Sequence, residues 1–478
     1  MVKKTISIVV PLFLFFLTLA LPAETFHMPG LTVVEQRVIA IFVLAASSWM
    51  LEPVPIFATS VGAITLLLLM VSDKGIVWFS RGGGENFGTL MSNTAIIATF
   101  ASPIIMLFLG GFFLAIAATK YSLDMNLARI ILKPFGSQPR WIMLGLMLIT
   151  AIFSMFMSNT ATTSMMLAVL TPVLASFPAG DRGRTALALS IPVAANIGGI
   201  GTPIGTPPNA IAMQYITKLE PFSFGKWMLF ATPYMLIMLA FSWLMLYLLF
   251  PSGKKSVTLA IESAFDKSPR AIIAYVVFAL TVILWMLGDL HGMNANVVAM
   301  IPLFIYTMTG VVTKKDLQTI SWDVLWLLSG GIALGLALDK TGLAARMVSS
   351  IPFGSFSPFI VLLAASGLAL VMANLMSHTA TANLLLPLMA ALAPGLGGLE
   401  AFGGPVGLLI AVTFACSLGM SLPISTPPNA LAMATGTVET RDMAKIGVVV
   451  GIVGLFFSFF WLFLMNYQID VTSPSFSD

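Results

Sequence analysis

Apolar residues run through this chain in long blocks separated by short polar breaks. The blocks predict eleven membrane-spanning segments, near 5–22, 37–52, 54–72, 102–118, 185–215, 227–250, 270–287, 295–311, 323–339, 404–434 and 444–466, because about 20 apolar residues suffice to cross a bilayer as a helix. Two of these, 185–215 and 404–434, contain Gly- and Pro-rich interruptions and are expected to be broken helices. Two more apolar stretches, 139–178 and 355–394, carry a polar pentapeptide near the middle: "SNTAT" from Ser158 and "SHTAT" from Ser377. Each is expected to be a re-entrant hairpin that enters and leaves the membrane on one side. The expected fold class is an all-α polytopic membrane protein with about eleven transmembrane helices and two re-entrant hairpins.

Composition agrees. Of 478 residues 58% are hydrophobic and 9% charged, against about a quarter charged in a soluble domain. An outer-membrane barrel would show short alternating segments instead. The single cysteine, Cys416, excludes an intramolecular disulfide and a thiolate metal cluster, and reads as a small buried residue. The net charge of +4 becomes informative on the topology. With the N-terminus inside, 16 of the 23 Lys and Arg fall on cytoplasmic segments, Lys3, Lys4, Arg129, Lys133, Lys254, Lys255, Lys314 and Lys315 among them. The positive-inside rule therefore puts the N-terminus in the cytoplasm and, after an odd number of spans, the C-terminus outside. The first span follows Lys3-Lys4 and ends in "LALPA", which imitates a signal-peptide cleavage site; it is expected to remain as an anchor helix.

The halves of the chain repeat. "LFLGGFFLAIAATKYSLDMNLARIIL" around Gly110 resembles "WLLSGGIALGLALDKTGLAARMV" around Gly330, and "GTPIGTPPNAIAM" resembles "SLPISTPPNALAM". The offsets are 220 for the Gly-Gly pairs, 219 for the pentapeptides and 220 for Thr206 and Thr426. Three motifs in register mark an internal duplication. Four spans separate the Gly110 and Gly330 segments, so the copies are expected to run in opposite directions. Inverted repeats with interrupted helices at matching positions are the sign of a secondary transporter, its site lying where the interruptions meet. The divisions expected are 1–100, N-terminal spans; 101–250, first repeat; 251–269, a polar cytoplasmic linker; 270–466, second repeat; and 467–478, a tail. The stretch 120–135 is amphipathic and expected along the cytoplasmic surface, with a solvated loop helix as the alternative. The Gly110-Gly111 and Gly330-Gly331 pairs are expected to serve close helix packing.

The motifs suggest their chemistry. Ser, Asn and Thr satisfy free N–H groups at a helix start, so "SNT" and "SHT" read as hairpin tips opening the second arm. Thr206 and Thr426 are expected to cap likewise, with Pro207 and Pro427 at the first helical position, where a missing N–H costs nothing. Four helix N-termini would converge, each worth about half a positive charge, and would suit carboxylate oxygens. Loose carbonyls at "SMFM" and "GIG" would suit a small cation. Residues 141–180, 185–217, 347–399 and 401–438 hold no Asp, Glu, Lys or Arg. An anion there needs its countercharge from elsewhere, and co-bound sodium is the simplest source. The same absence argues against proton antiport through a membrane carboxylate.

These residues resemble the divalent anion/sodium symporters, which carry di- and tricarboxylates. "SNT" at Ser158, the tripeptide at Ser377 and both "TPPN" turns match that family's signature, and the resemblance covers essentially the whole chain. It implies a homodimer in the cytoplasmic membrane, each protomer having a scaffold domain (1–100 mainly) and a transport domain that moves like an elevator. It implies substrate carboxylates at Ser158, Asn159, Thr160, Ser377, His378, Thr379 and the pairs Thr206-Pro207 and Thr426-Pro427. It also implies sodium near Ser154, Ser158, Asn159 and Gly205, and a second sodium near Ser377, His378, Ser425 and Pro427. The family usually has Asn where His378 stands, and often a hydroxyl at the position of Ala373. The first sodium site thus carries over whole and the second stays open.

The function expected is sodium-coupled symport of a dicarboxylate of the succinate, malate or fumarate class. The alternatives are a sodium-independent exchanger on the same fold and a transporter of sulfate or another inorganic dianion. No zinc-ligand spacing, paired carboxylates or nucleophile–base set points to an enzyme, and neither an organic cofactor nor nucleic acid is expected.

Overall fold

A computed structural model describes residues 2–80, 84, 86–178, 180–257, 264–350 and 357–472. Of the expected segments, 258–263 of the linker, 355–356 at the start of the second hairpin and 473–478 of the tail lie outside the described residues. The described chain is helical; its one β contact is an isolated bridge between Ser72 and Met91.

The helices that open the chain are α1 (Val2–Ala20), α2 (Val33–Leu51) and α3 (Ile56–Met70). Next come α4 (Pro103–Lys120) and the short α5 (Leu123–Leu132). The first expected hairpin is α6 (Pro139–Ser154) and α7 (Asn159–Ala175), and the first broken helix is α8 (Arg182–Gly198) and α9 (Pro207–Leu219). A long α10 (Phe224–Leu249) leads to α11 (Pro269–Met286), α12 (Ala295–Met308), α13 (Trp322–Lys340) and the short α14 (Leu343–Ser350). Then come α15 (Pro358–Leu375) and α16 (His378–Leu392), the broken pair α17 (Gly404–Ser417) and α18 (Pro427–Ala434), and α19 (Thr440–Thr472).

Starts are chemically marked. Ser102, Ser223 and Ser268 cap α4, α10 and α11, and Thr32 forms a reciprocal capping box with Glu35 on α2. Proline at the first turn opens α4, α6, α9, α11, α15 and α18. Among the described residues seven helices are long and apolar enough to cross a membrane, while Thr5–Ala20 of α1 and the whole of α3, α6, α12 and α17 are shorter apolar stretches.

Packing repeats along with the sequence. α4 lies on α12 and α13 lies on α3. The glycine pairs make these approaches possible: a Cβ on Gly110 would meet Ala299, and one on Gly330 would meet Ser60. In one half α8 packs on α6 and α7, and in the other α17 packs on α15 and α16; α8 also meets α18, and α17 meets α9. On α5 the polar Asp124 and Asn126 are buried while Ile130 is exposed. Leu123 and Ala128 are buried beside them and Arg129 is exposed, so the helix packs a mixed face against the protein. Burial holds the Asp124 carboxyl above its ordinary range despite hydrogen bonds to it.

Candidate functional site

The tips of both hairpins and the breaks of both split helices border one cavity of about 590 Å³. All ten residues expected to face substrate line it, from Ser158 to Pro427. Four helix starts meet there: α7 behind Ser158, α9 behind Thr206, α16 behind Ser377 and α18 behind Thr426. No Lys or Arg is among the lining residues, and the sole lining carboxylate, Asp323, is on the exposed first turn of α13.

Capping differs between the copies. Ser158 Oγ accepts from Ala161 N at 3.2 Å and Ser377 Oγ from Ala380 N at 3.2 Å, as expected. Thr426 Oγ1 accepts from Asn429 N at 3.2 Å. The Thr206 hydroxyl makes no cap bond, which corrects its expected role: the N–H of Asn209 is taken by the Thr206 backbone carbonyl at 3.1 Å.

Behind the first tip, polar atoms form a knot. Ser154 Oγ lies 2.6 Å from Asn159 Oδ1 and 2.7 Å from Ala195 O. One hydroxyl proton cannot serve both acceptors, so one oxygen faces another without a proton between them, an arrangement that a cation would relieve. Gly199 and Gly205 close the same knot: a Cβ on Gly205 would strike Gly199 O, and one on Gly199 would come 2.9 Å from Asn159 Oδ1. Ser154, Ser158, Asn159 and Gly205 are thus brought together, and Ala195 O joins them. Backbone carbonyls carry no side-chain signal, so sequence could not name it.

The carbonyls at "GIG" are not loose, contrary to expectation, and of those at "SMFM" the Met155 carbonyl is partnered. Asn209 Nδ2 reaches Gly199 O at 2.8 Å, Ile200 O at 3.3 Å and Thr202 O at 2.7 Å. Trp227 Nε1 donates to Ile200 O at 3.0 Å, and the Thr202 hydroxyl donates to Met155 O. In the other half Asn429 Nδ2 reaches Met420 O at 2.8 Å and Leu422 O at 2.9 Å. The Asn of each TPPN turn is therefore a clamp on the broken helix, satisfying carbonyls that would otherwise be unpaired at membrane depth. Its position in the repeated motif was the signal available for this role.

Behind the second tip the chemistry is different. His378 is buried, and its Nε2 lies 2.8 Å from Gly419 O. A carbonyl can only accept, so Nε2 carries the proton. Ser425 Oγ donates to Asn374 O at 2.8 Å, and Asn374 Oδ1 accepts from Ser421 N at 2.7 Å. Ala373 packs against Gly419. Ser377, His378 and Ser425 lie together with Pro427 around the cavity, but the imidazole N–H already occupies a carbonyl, and the amide oxygen of Asn374 is already taken.

A largely helical membrane chain whose broken helices and hairpin tips enclose a cavity has the architecture of a secondary transporter. The chain matches the family described as "Sodium:sulfate symporter transmembrane region" over residues 2–467. It belongs to that family, the divalent anion/sodium symporters. It is 30% identical to sodium-dependent high-affinity dicarboxylate transporter 3 of Caenorhabditis elegans, over 90% of this chain and 82% of that one. It is 29% identical to the sodium-dependent dicarboxylate transporter SdcS of Staphylococcus saprophyticus, over 99% of this chain and 94% of that one. Among solved structures it is similar in fold to the Alcanivorax borkumensis YdaH transporter, with a TM-score of 0.55 at 14% identity over 80% of this chain and 88% of that one. The Neisseria gonorrhoeae MtrF structure matches with a TM-score of 0.54 at 12% identity, over 85% and 94%.

Proposed function

We propose that this protein is a sodium-coupled symporter that carries a four-carbon dicarboxylate inward across the cytoplasmic membrane. The observation that carries the reading is the pairing of four helix starts around a cavity lined by no Lys or Arg with the Ser154–Asn159–Ala195 knot behind one tip. The helix starts favour carboxylate oxygens. The oxygen-rich knot suits a hard cation, and sodium there supplies the countercharge that no side chain gives. Two curated relatives named as sodium-dependent dicarboxylate transporters support this substrate class.

In this reading substrate carboxylates meet Ser158, Asn159, Thr160, Ser377, His378, Thr379 and the two Thr-Pro pairs, and the first sodium sits among Ser154, Ser158, Asn159 and Gly205. The spans form two inverted repeats, 101–250 and 270–466, joined by a cytoplasmic linker. The helix-on-helix pairs that recur between the halves support that symmetry. The N-terminus is cytoplasmic and the C-terminus outside. The chain works as a homodimer, with hairpins and broken helices moving like an elevator against a scaffold formed mainly by residues 1–100. If more than two sodium ions accompany a dianion, each net charge adds about 2.3 kcal/mol of drive per 100 mV.

Radiolabelled succinate uptake into proteoliposomes tests this directly. Uptake should require an inward sodium gradient and should proceed without internal substrate. Equal uptake in potassium would remove sodium coupling, and a strict need for internal dicarboxylate would indicate an exchanger. The family description also names sulfate, and stronger competition by sulfate than by succinate would shift the substrate to an inorganic dianion.

A further inference from the structure

A second anion-attracting cavity lies away from the transport site. It measures about 220 Å³ and is formed by the start of α6, the first turns of α8, the end of α10 and residues 250–255. Its rim carries Arg140, Lys254 and Lys255, and no carboxylate lines it. Asp181, adjacent in sequence to the α8 wall, is occupied: Oδ1 caps Gly183 N at 2.7 Å, and Oδ2 accepts from Gly253 N at 3.2 Å. Lys254 is fixed by bonds from Nζ to Ser176 O at 2.6 Å and Ser176 Oγ at 2.8 Å. Arg140 uses Nε on Gln138 at 3.1 Å, which leaves the two terminal nitrogens of its guanidinium. Lys255 has no side-chain partner among the described residues and is exposed.

The walls differ from those of a site for a free anion. Met143, Leu187 and Phe250 supply an apolar floor beneath the basic rim. Beside the mouth Trp141 stacks on Trp243 at 5.5 Å, Trp243 stacks on Tyr247 at 6.4 Å, and the Arg140 guanidinium lies 5.3 Å over Trp141. Trp243 Nε1 donates to Arg140 O at 2.8 Å, which locks the aromatic stack to the base of α6. Trp141 and Tyr247 are partly exposed. Stacked, half-exposed Trp and Tyr are the side chains of the membrane interface, the depth at which lipid headgroups lie, and basic pockets between helices at that depth suit anionic headgroups.

We propose that this cavity binds the headgroup of an anionic phospholipid, its phosphate held by Arg140 and Lys255 beside the fixed charge of Lys254, with the first acyl segment against the apolar floor. Such a lipid would bridge the base of the first hairpin and the segment leading out of α10. The binding itself does not depend on the transported substrate.

The test uses the full chain purified in detergent, stripped of lipid, and given phosphatidylglycerol, phosphatidylcholine with identical acyl chains, or inorganic phosphate. Native mass spectrometry reads retained lipid and thermal unfolding reads stabilisation. Phosphatidylglycerol should be retained and stabilise, while phosphatidylcholine should not. Arg140→Gln with Lys255→Gln should lower phosphatidylglycerol affinity roughly fivefold per removed charge, while Arg140→Lys should keep most of it. Lys254 is left in place because it also ties Ser176. Equal retention of both lipids, or full retention by the double variant, overturns the proposal. Stabilisation by inorganic phosphate equal to that by phosphatidylglycerol would make the ligand a free anion and overturn the lipid assignment.

Discussion

Asn196 on α8 reaches across to the other half of the chain: its Nδ2 lies 3.4 Å from Asn429 Oδ1 and 3.3 Å from Thr426 Oγ1. It thereby joins one broken helix to the turn that restarts the other. The position 220 residues on is Cys416, and Asn209 Oδ1, the counterpart of Asn429 Oδ1, is buried without a partner. The duplication is asymmetric where the halves meet. Asn196→Asp should destabilise more than Asn196→Ala, because it sets a carboxylate oxygen against Asn429 Oδ1. The alanine variant should lose about 1–3 kcal/mol, the usual cost of stranding a buried polar group, read by thermal unfolding. Cys416→Asn should raise the unfolding midpoint by giving Asn209 a donor; an unchanged midpoint would limit the duplication to the backbone.

Ser154→Ala should weaken sodium activation and leave dicarboxylate affinity at saturating sodium nearly unchanged. The hydroxyl touches Asn159 and Ala195 but does not line the cavity. Loss of one net hydrogen-bond equivalent, about 1 kcal/mol, predicts a roughly fivefold rise in the sodium concentration giving half-maximal uptake. A change confined to substrate affinity would place the cation elsewhere.

His378→Asn should steepen the dependence of uptake on sodium. The imidazole N–H holds Gly419 O, and an amide at this position can offer its oxygen to a cation, the role proposed for Asn159 in the other half. The readout is the sodium Hill coefficient of the variant against the parent. Identical coefficients would show that the histidine only lines the cavity.

The two TPPN threonines should separate in stability. Thr426→Ala removes a side-chain cap and should cost about 1 kcal/mol, whereas Thr206→Ala removes none. Both should raise the substrate concentration needed for uptake, since both line the cavity. Equal destabilisation by the two would contradict the asymmetry.

At the far end of α4, Lys120 Nζ lies 2.6 Å from Asp316 Oδ2, which also accepts from Thr313 N and Oγ1 at 2.7 Å each. Burial raises the Asp316 pKa, but the bonds from Lys120 and Thr313 outweigh it and hold the carboxyl below its ordinary range. A depressed carboxylate adds stability above its unfolded pKa of about 4 and loses it as pH falls through the folded value. Asp316→Asn should therefore lower the unfolding midpoint at pH 7, and the difference from the parent should shrink as pH falls below about 4.

The sequence by itself determined the helical membrane class, the places where helices run and break, and the two copies of the site motif. Each of these follows from local rules: apolar run length, cap residues and prolines at helix starts. It also marked ten of the residues that line the cavity, because a polar tripeptide inside an apolar run has few bland uses once it is repeated; Asn196 and the apolar wall carry no such repeated motif and went unmarked. Tertiary structure decided the rest. Only the fold shows that Asn209 and Asn429 clamp the breaks, that Ala195 O joins Ser154 and Asn159, and that the "GIG" carbonyls are already partnered. These are contacts between backbone atoms and side chains distant in sequence, and a carbonyl has no identity in a sequence to read. The Thr206–Thr426 difference is likewise invisible in two identical tetrapeptides. It depends on how each turn packs against the opposite half, where Asn196 meets one copy and Cys416 stands at the matching place in the other.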